Sequence, residues 1–261
     1  MKASSGSSRG GWEPREIEVG AVFSRAWELY TSNLGRVLGV HILAYILTVV
    51  ASVAVFVLFF VIALAGAALL RQVDPGILIA LAVAGYIIVI LINSLCQLYF
   101  FLGVFSYILK LVRGEDPSFN ELFSGWPYLG RMLICSLLFF VMYAVGLVFL
   151  IVPGIIIMLM FSPYPYLLID RNLPGIEALT ESRQITRGNL KVLFLISLVM
   201  GGITLVPYFT ILFLNGGMNQ GGGPPVLGAV LMLGFMFVLY IFLIPFSILV
   251  GGTSYAEMTN Q

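Results

Sequence analysis

Charge is what this sequence has least of. Only 10% of its 261 residues are Asp, Glu, Lys or Arg, against roughly 25% in a soluble globular domain, so the chain cannot cover a water-facing surface. An excess of one sign is missing too. Thirteen Lys and Arg stand against twelve Asp and Glu, and no basic stripe invites nucleic acid as a partner. One histidine and two cysteines are too few for the usual His/Cys metal sites, which need several ligands at set spacing; no metal and no cofactor is expected. Cys96 and Cys135 both lie inside apolar runs and read as small buried hydrophobes rather than a disulfide. HExxH and the GKS/GKT phosphate loop do not occur, which removes a common zinc-hydrolase signature and a common nucleotide signature. The first eighteen residues are polar, so no signal peptide is expected, and Lys2 breaks the myristoylation pattern.

What is there is hydrocarbon: 60% of the residues are hydrophobic. They fall into six blocks, at residues 37–70, 77–109, 132–152, 155–169, 192–214 and 226–250. Spans in lipid must satisfy their own backbone, and apolar runs of this length do so as helices. The expected fold is therefore an all-α polytopic transmembrane bundle of six spans within residues 18–256. Residues 1–17 are expected to be disordered and 257–261 to form a tail. Arg71, Asp74, Pro75 and Gly76 close the first pair of blocks, Pro153-Gly154 makes a minimal turn between the third and fourth, and the run from Gly216 to Pro225 separates the fifth from the sixth. The first two blocks could each extend roughly 50 Å across a hydrocarbon layer of about 30 Å. They must tilt, project, or break near a glycine such as Gly85.

Orientation follows from the cations. Twelve of the thirteen Lys and Arg fall before the first block, between the second and third, or between the fourth and fifth; Arg71 alone falls on the other side. By the positive-inside rule both termini lie in the cytoplasm, with the chain in the cytoplasmic membrane of a prokaryote. Three spans also open alike, at Asn33-Leu34-Gly35-Arg36, Tyr128-Leu129-Gly130-Arg131 and Asn189-Leu190-Lys191. Each follows a candidate surface helix, at about 18–31, 118–125 and 174–187. The first shows apolar residues at helical spacing, with Trp27 and Tyr30 suited to headgroup level. The second carries a capping-box pattern, Ser118-Phe119-Asn120-Glu121, with Phe119, Leu122 and Phe123 facing lipid. Three units of surface helix plus hairpin are expected, unless the basic openings merely obey the topology rule.

Chemistry has few places to be. No Asp, Glu, Lys or Arg lies in the interior of a block, and His41 reads as an interfacial side chain before a catalytic base. Glu121, Asp170, Glu177 and Glu181 could supply acids in the loops, but solvation and helix capping account for them at less cost. Asn93 and Gln97, four apart, are placed to bond each other or a neighbouring helix. The fourth block is short and interrupted by Pro163 and Pro165, a pattern that marks either a packing kink or a binding site in a transporter. Pro207 and Pro245 mark similar break positions in the last two spans. A cavity lined by Asn93, Gln97 and Tyr164 would favour transport; a close-packed bundle would favour a scaffold.

The ordered run Phe149 to Ile156 (FLIVPGII), Tyr166 to Asp170 (YLLID), Glu177-Ala178-Leu179 with Ser182, and Thr186-Arg187-Gly188-Asn189, preceded by Arg113-Gly114-Glu115-Asp116-Pro117-Ser118-Phe119, resembles a prokaryotic multi-span membrane protein family of no settled activity. That group is related to the membrane domain attached to some glycerophosphoryl diester phosphodiesterases and to YciC-like proteins. The likeness covers about residues 100–200 and implies a multi-span membrane domain. It implies no phosphodiesterase activity, since the soluble catalytic barrel has no counterpart here. Arg187 stands where that group has Lys, and Arg171 follows Asp170. The preferred expectation is a non-enzymatic membrane scaffold, assembly factor or accessory subunit, with membrane lipids and another membrane protein as partners and self-association left open. The alternative is a transporter or lipid-handling protein with a cavity at the broken fourth span.

Overall fold

Where hydrocarbon-rich runs go on without a charged interruption, the helices go on with them. The computed structural model describes residues 15–69, 73–220 and 225–259, and every regular element among them is helical. In chain order these are α1 (Val19–Ser32), α2 (Leu34–Leu69), α3 (Pro75–Val112), a single 3-10 turn (Phe119–Phe123), α4 (Trp126–Phe149), α5 (Ile151–Phe161), α6 (Tyr164–Asp170), α7 (Gly175–Ile185), α8 (Leu190–Gln220) and α9 (Pro225–Thr259). Five stretches are long and apolar enough to cross a membrane: Leu34–Gly66, Pro75–Val112, Trp126–Phe149, the broken Ile151–Asp170, and Leu233–Thr259. Helices α7 and α8, bent by 99° at their junction, make a sixth if taken as one span. The disorder expected of residues 1–14 and the turn at Arg71 lie outside the described residues.

Neither long helix breaks. α2 has 36 residues and α3 has 38, lengths of about 54 and 57 Å. Gly85 sits inside α3, where a Cβ would lie 2.7 Å from the Phe59 ring of α2, so it brings two helices close and bends neither. Asp74 caps α3 by accepting from the N–H of Gly76 at 2.8 Å, and Pro75 occupies the first turn, where its missing N–H costs nothing. The turn between α4 and α5 falls at Leu150 rather than Pro153-Gly154. Pro153 is accommodated in the first turn of α5, and Gly154 instead lets the α4 and α5 backbones meet: a Cβ on Gly146 would lie 3.1 Å from the Gly154 Cα.

Sequential neighbours pack together, α2 on α3, α4 on α5 and α8 on α9, and α9 also reaches α1, α2 and α3. The buried core lies almost wholly at the end that carries the cations. It takes in Val22, Ala26 and Tyr30 of α1, Leu102 to Val112 of α3, Tyr164 to Ile169 of α6, and the last turns of α9. Away from that base, apolar side chains of α2 from Val49 to Leu64 and of α3 from Ile77 to Ile92 are mostly exposed. In water such a surface would be untenable; in hydrocarbon it costs nothing. The base holds the buried core, and the far half carries the exposed apolar surface that a membrane-spanning helix presents.

Several local expectations change at the base. The apolar face of α1 packs on α9, and of its large apolar side chains only Trp27 is exposed. Residues 15–17 are ordered: the Asn189 side chain accepts from the Ile17 N–H at 3.1 Å and donates to the Arg15 carbonyl at 2.7 Å. The capping box does not form. Ser118 caps nothing, and Glu121 turns instead to Lys110 at 2.6 Å and Ser106 at 3.0 Å. Leu122 is fully buried against Gly103, where a Cβ would come within 2.5 Å of the Leu122 backbone. α9 runs past 250 to Thr259, with Tyr255, Ala256 and Met258 buried; residues 257–259 of the expected tail are helical, and 260–261 lie outside the described residues.

Candidate functional site

Two places combine polar groups with space. The first is a cavity of about 410 Å³ between α2, α3 and α9. His41, Tyr45 and Thr48 contribute from one face of α2, where spacings of four and seven align side chains, and Ser94, Gln97 and Phe101 from one face of α3; Tyr240 of α9 closes the third side. The His41 ring is nine-tenths buried, 6.2 Å from Tyr240, and its Nδ1 has no hydrogen-bond partner. None of the lining residues is acidic, lysine or arginine. A wall of hydroxyls, an imidazole, an amide and aromatic rings suits a neutral ligand that is part polar and part apolar.

Of Asn93, Gln97 and Tyr164, the three residues expected to share a cavity, only Gln97 lines this one. Asn93 does not bond to Gln97. Its amide donates to the Val89 carbonyl of its own helix at 3.2 Å, and its oxygen is buried without a partner. Tyr164 lies elsewhere, in the base, with its hydroxyl 3.2 Å from that of Ser136. Tyr45, Thr48, Ser94 and Tyr240 were missed. Their signal was present as i, i+4, i+7 recurrence after His41 and i, i+3 spacing from Ser94, but weak polar residues in apolar runs do not stand out.

The prolines divide in the same way. Pro163 and Pro165 do stand at a break, between α5 and α6. The recess beside Pro163 is the smaller one, about 210 Å³, shared with Ser197 and Ser254. Pro245 is buried inside an unbroken α9. It deprives the Ile241 carbonyl of its helical N–H donor, and one residue on Tyr30 donates to the Phe242 carbonyl at 3.0 Å, tying α1 to α9 at this point. Burial pushes the Tyr30 phenol above its usual range, so it stays a neutral donor. Pro207 falls within the bounds of α8, and its side chain lies outside the described residues.

The second polar region is the base itself. Met160, in the last turn of α5, has a carbonyl that has lost its helical partner to the break, and two hydroxyls of α7 and its cap supply donors: Ser182 at 3.0 Å and Thr186 at 3.1 Å. Asp170, at the end of α6, accepts from both Arg113 and the Tyr255 hydroxyl, joining α3, α6 and α9. Its side chain is only 6% exposed, so these partners replace water. Arg171 pairs with Glu181 at 2.7 Å and Arg25 with Glu257 at 2.6 Å. The candidate acids Glu121, Asp170 and Glu181 are thus each held by a cation, in positions that close the fold.

No known family model, curated protein or solved structure matches this chain. Its chemistry is therefore read from geometry alone. The ionised groups at the base join helices to one another, and no group of three His, Cys, Asp or Glu able to hold a metal ion occurs among the described residues. Besides the uncharged cavity beside His41, an apolar recess of about 640 Å³ lies between α8 and α9 and shares Tyr240 with it.

Proposed function

We propose that this chain is a non-catalytic multi-pass protein of a prokaryotic cytoplasmic membrane that accommodates lipid between its helices. Both termini and the ion-paired base face the cytoplasm. The helices are read as three hairpins, α2–α3, α4 with α5–α6, and α8–α9, the first entered from α1, the second from the 3-10 turn and the third from α7, lying along the membrane surface. The observation that carries the reading is the uncharged, laterally open cavity lined by His41, Tyr45, Thr48, Ser94, Gln97 and Tyr240. What supports lipid handling over a scaffold is the space between helices among the described residues.

The test is the lipid that stays with the protein in mild detergent. Wild-type protein is expected to retain neutral lipid, and Ser94→Trp, which fills the cavity, to retain several-fold less. Equal lipid content in the two would contradict the reading. The scaffold or accessory-subunit reading keeps one specific support, the apolar groove along α2 formed by Val49, Val53, Val57 and Val61 with no helix seated on it. Recovery of a stoichiometric membrane-protein partner, lost when Val53→Ser and Val57→Ser are combined, would favour it over lipid handling. We also propose kinship with the membrane family of the quoted motifs. What supports it is that Arg113, Asp170, Ser182, Thr186 and Asn189, all from those motifs, are the residues that tie the base together.

A further inference from the structure

Most described basic side chains are spent inside the molecule. Arg25, Arg36, Lys110, Arg113 and Arg171 each hold a carboxylate, and Arg131 is turned onto the carbonyl and side chain of Asn172. Arg183 and Arg187 are different. Both are exposed, and neither side chain has an ion pair or hydrogen bond among the described residues. Arg183 lies in the last turn of α7 and Arg187 in the short turn that joins α7 to α8. Lys191, at the start of α8, adds a third cation to the same stretch.

The two arginines also share a concavity. They line a recess of about 520 Å³ with Thr180, Gln184, Met160 and Leu190. It sits in the elbow where α7 turns by 99° into α8, a turn that Gly188 makes possible with φ +95°. The mouth is cationic, and the floor, Met160 and Leu190, is apolar. Beyond Leu190 the outer side of α8 continues with exposed Phe194 and Leu198. A small inorganic anion would use the mouth and leave the floor empty. A molecule with a phosphate at one end and hydrocarbon at the other would use both, with the guanidiniums well suited to phosphate oxygens.

We infer that this elbow binds the phosphate of an anionic phospholipid from the leaflet next to the base, with an acyl chain running along α8. The inference rests on the membrane reading above and is independent of the cavity beside His41. Its test is reconstitution into nanodiscs of phosphatidylcholine containing a minor fraction of phosphatidylglycerol, followed by release into mild detergent and native mass spectrometry of retained lipid. Wild-type protein is expected to enrich phosphatidylglycerol over its fraction in the nanodisc. Each cation near a membrane surface changes anionic-lipid binding by roughly fivefold, so Arg183→Gln with Arg187→Gln should lower the enrichment on the order of twentyfold. Arg36→Gln, at an ion-paired and exposed cation, should lower it little. Arg183→Lys with Arg187→Lys should keep part of it, which separates loss of charge from loss of fold.

Displacement of the lipid by millimolar inorganic phosphate would assign the site to free anion and overturn the lipid proposal. So would wild-type protein without enrichment, or a double glutamine variant that enriches as wild type does. Ser94→Trp should leave the phosphatidylglycerol signal unchanged, so failure here and failure of the cavity reading are told apart. A chain that needs no amphiphile to stay dispersed would end both.

Discussion

Asp170 is the residue on which most of the base converges. Its two oxygens meet Arg113 of α3 and Tyr255 of α9, and the Tyr255 ring stacks on Tyr166 at 5.8 Å, itself bonded to the Ile248 carbonyl at 2.6 Å. Removing one member of a buried pair leaves the other charge without compensation, which costs more than the pair contributes. Asp170→Asn should therefore lower stability in detergent by about 3 kcal/mol, read as a fall in the melting midpoint, while Tyr255→Phe should cost about 1 kcal/mol. Equal effects from the two would contradict the view that the buried carboxylate charge is what matters. Asn189 acts more locally, holding residues 15–17 by two backbone hydrogen bonds. Asn189→Ala should speed tryptic cleavage after Arg15 with a stability loss of about 1–2 kcal/mol; unchanged cleavage would show that this segment is held by something else.

At the scale of elements, the broken fourth span is stabilised from outside itself. The carbonyl that α5 leaves open at Met160 is met by Ser182 and Thr186, so α7 serves as the donor that the proline-interrupted helix lacks. Ser182→Ala with Thr186→Val should orphan that buried carbonyl at a cost of about 2 kcal/mol, measured by thermal unfolding, and much more than Ser197→Ala at a half-buried position. The long apolar helices were legible because uninterrupted hydrophobic length is a strong signal. Their ends were less so: Asp74 and Pro75 announced the start of α3, but the turn at Leu150 carries no Gly or Pro of its own. The period of α1 was legible but the helix its apolar face meets was not, since an amphipathic face does not name its neighbour. The cavity was least legible of all. It depends on which faces of α2, α3 and α9 meet, and a single sequence fixes the periodicity of each face but not their pairing.

The whole molecule has two halves with different physics. At one end, ion pairs, repaired carbonyls and buried aromatics make a well-ordered base. At the other, long helices expose apolar side chains and leave space between them. This division makes sense if the base meets the cytoplasm and hydrocarbon surrounds the rest, because hydrocarbon gives no driving force to close gaps between apolar helices. The central claim is thus one of placement. Single cysteines at positions 175–188 and 216–225, in a background with Cys96 and Cys135 replaced by serine, should separate cleanly in intact cells. An impermeant thiol reagent should label the 216–225 set from outside and reach the 175–188 set only after lysis. Labelling of 175–188 in intact cells with 216–225 protected, or of neither set before lysis and both after, would contradict the account.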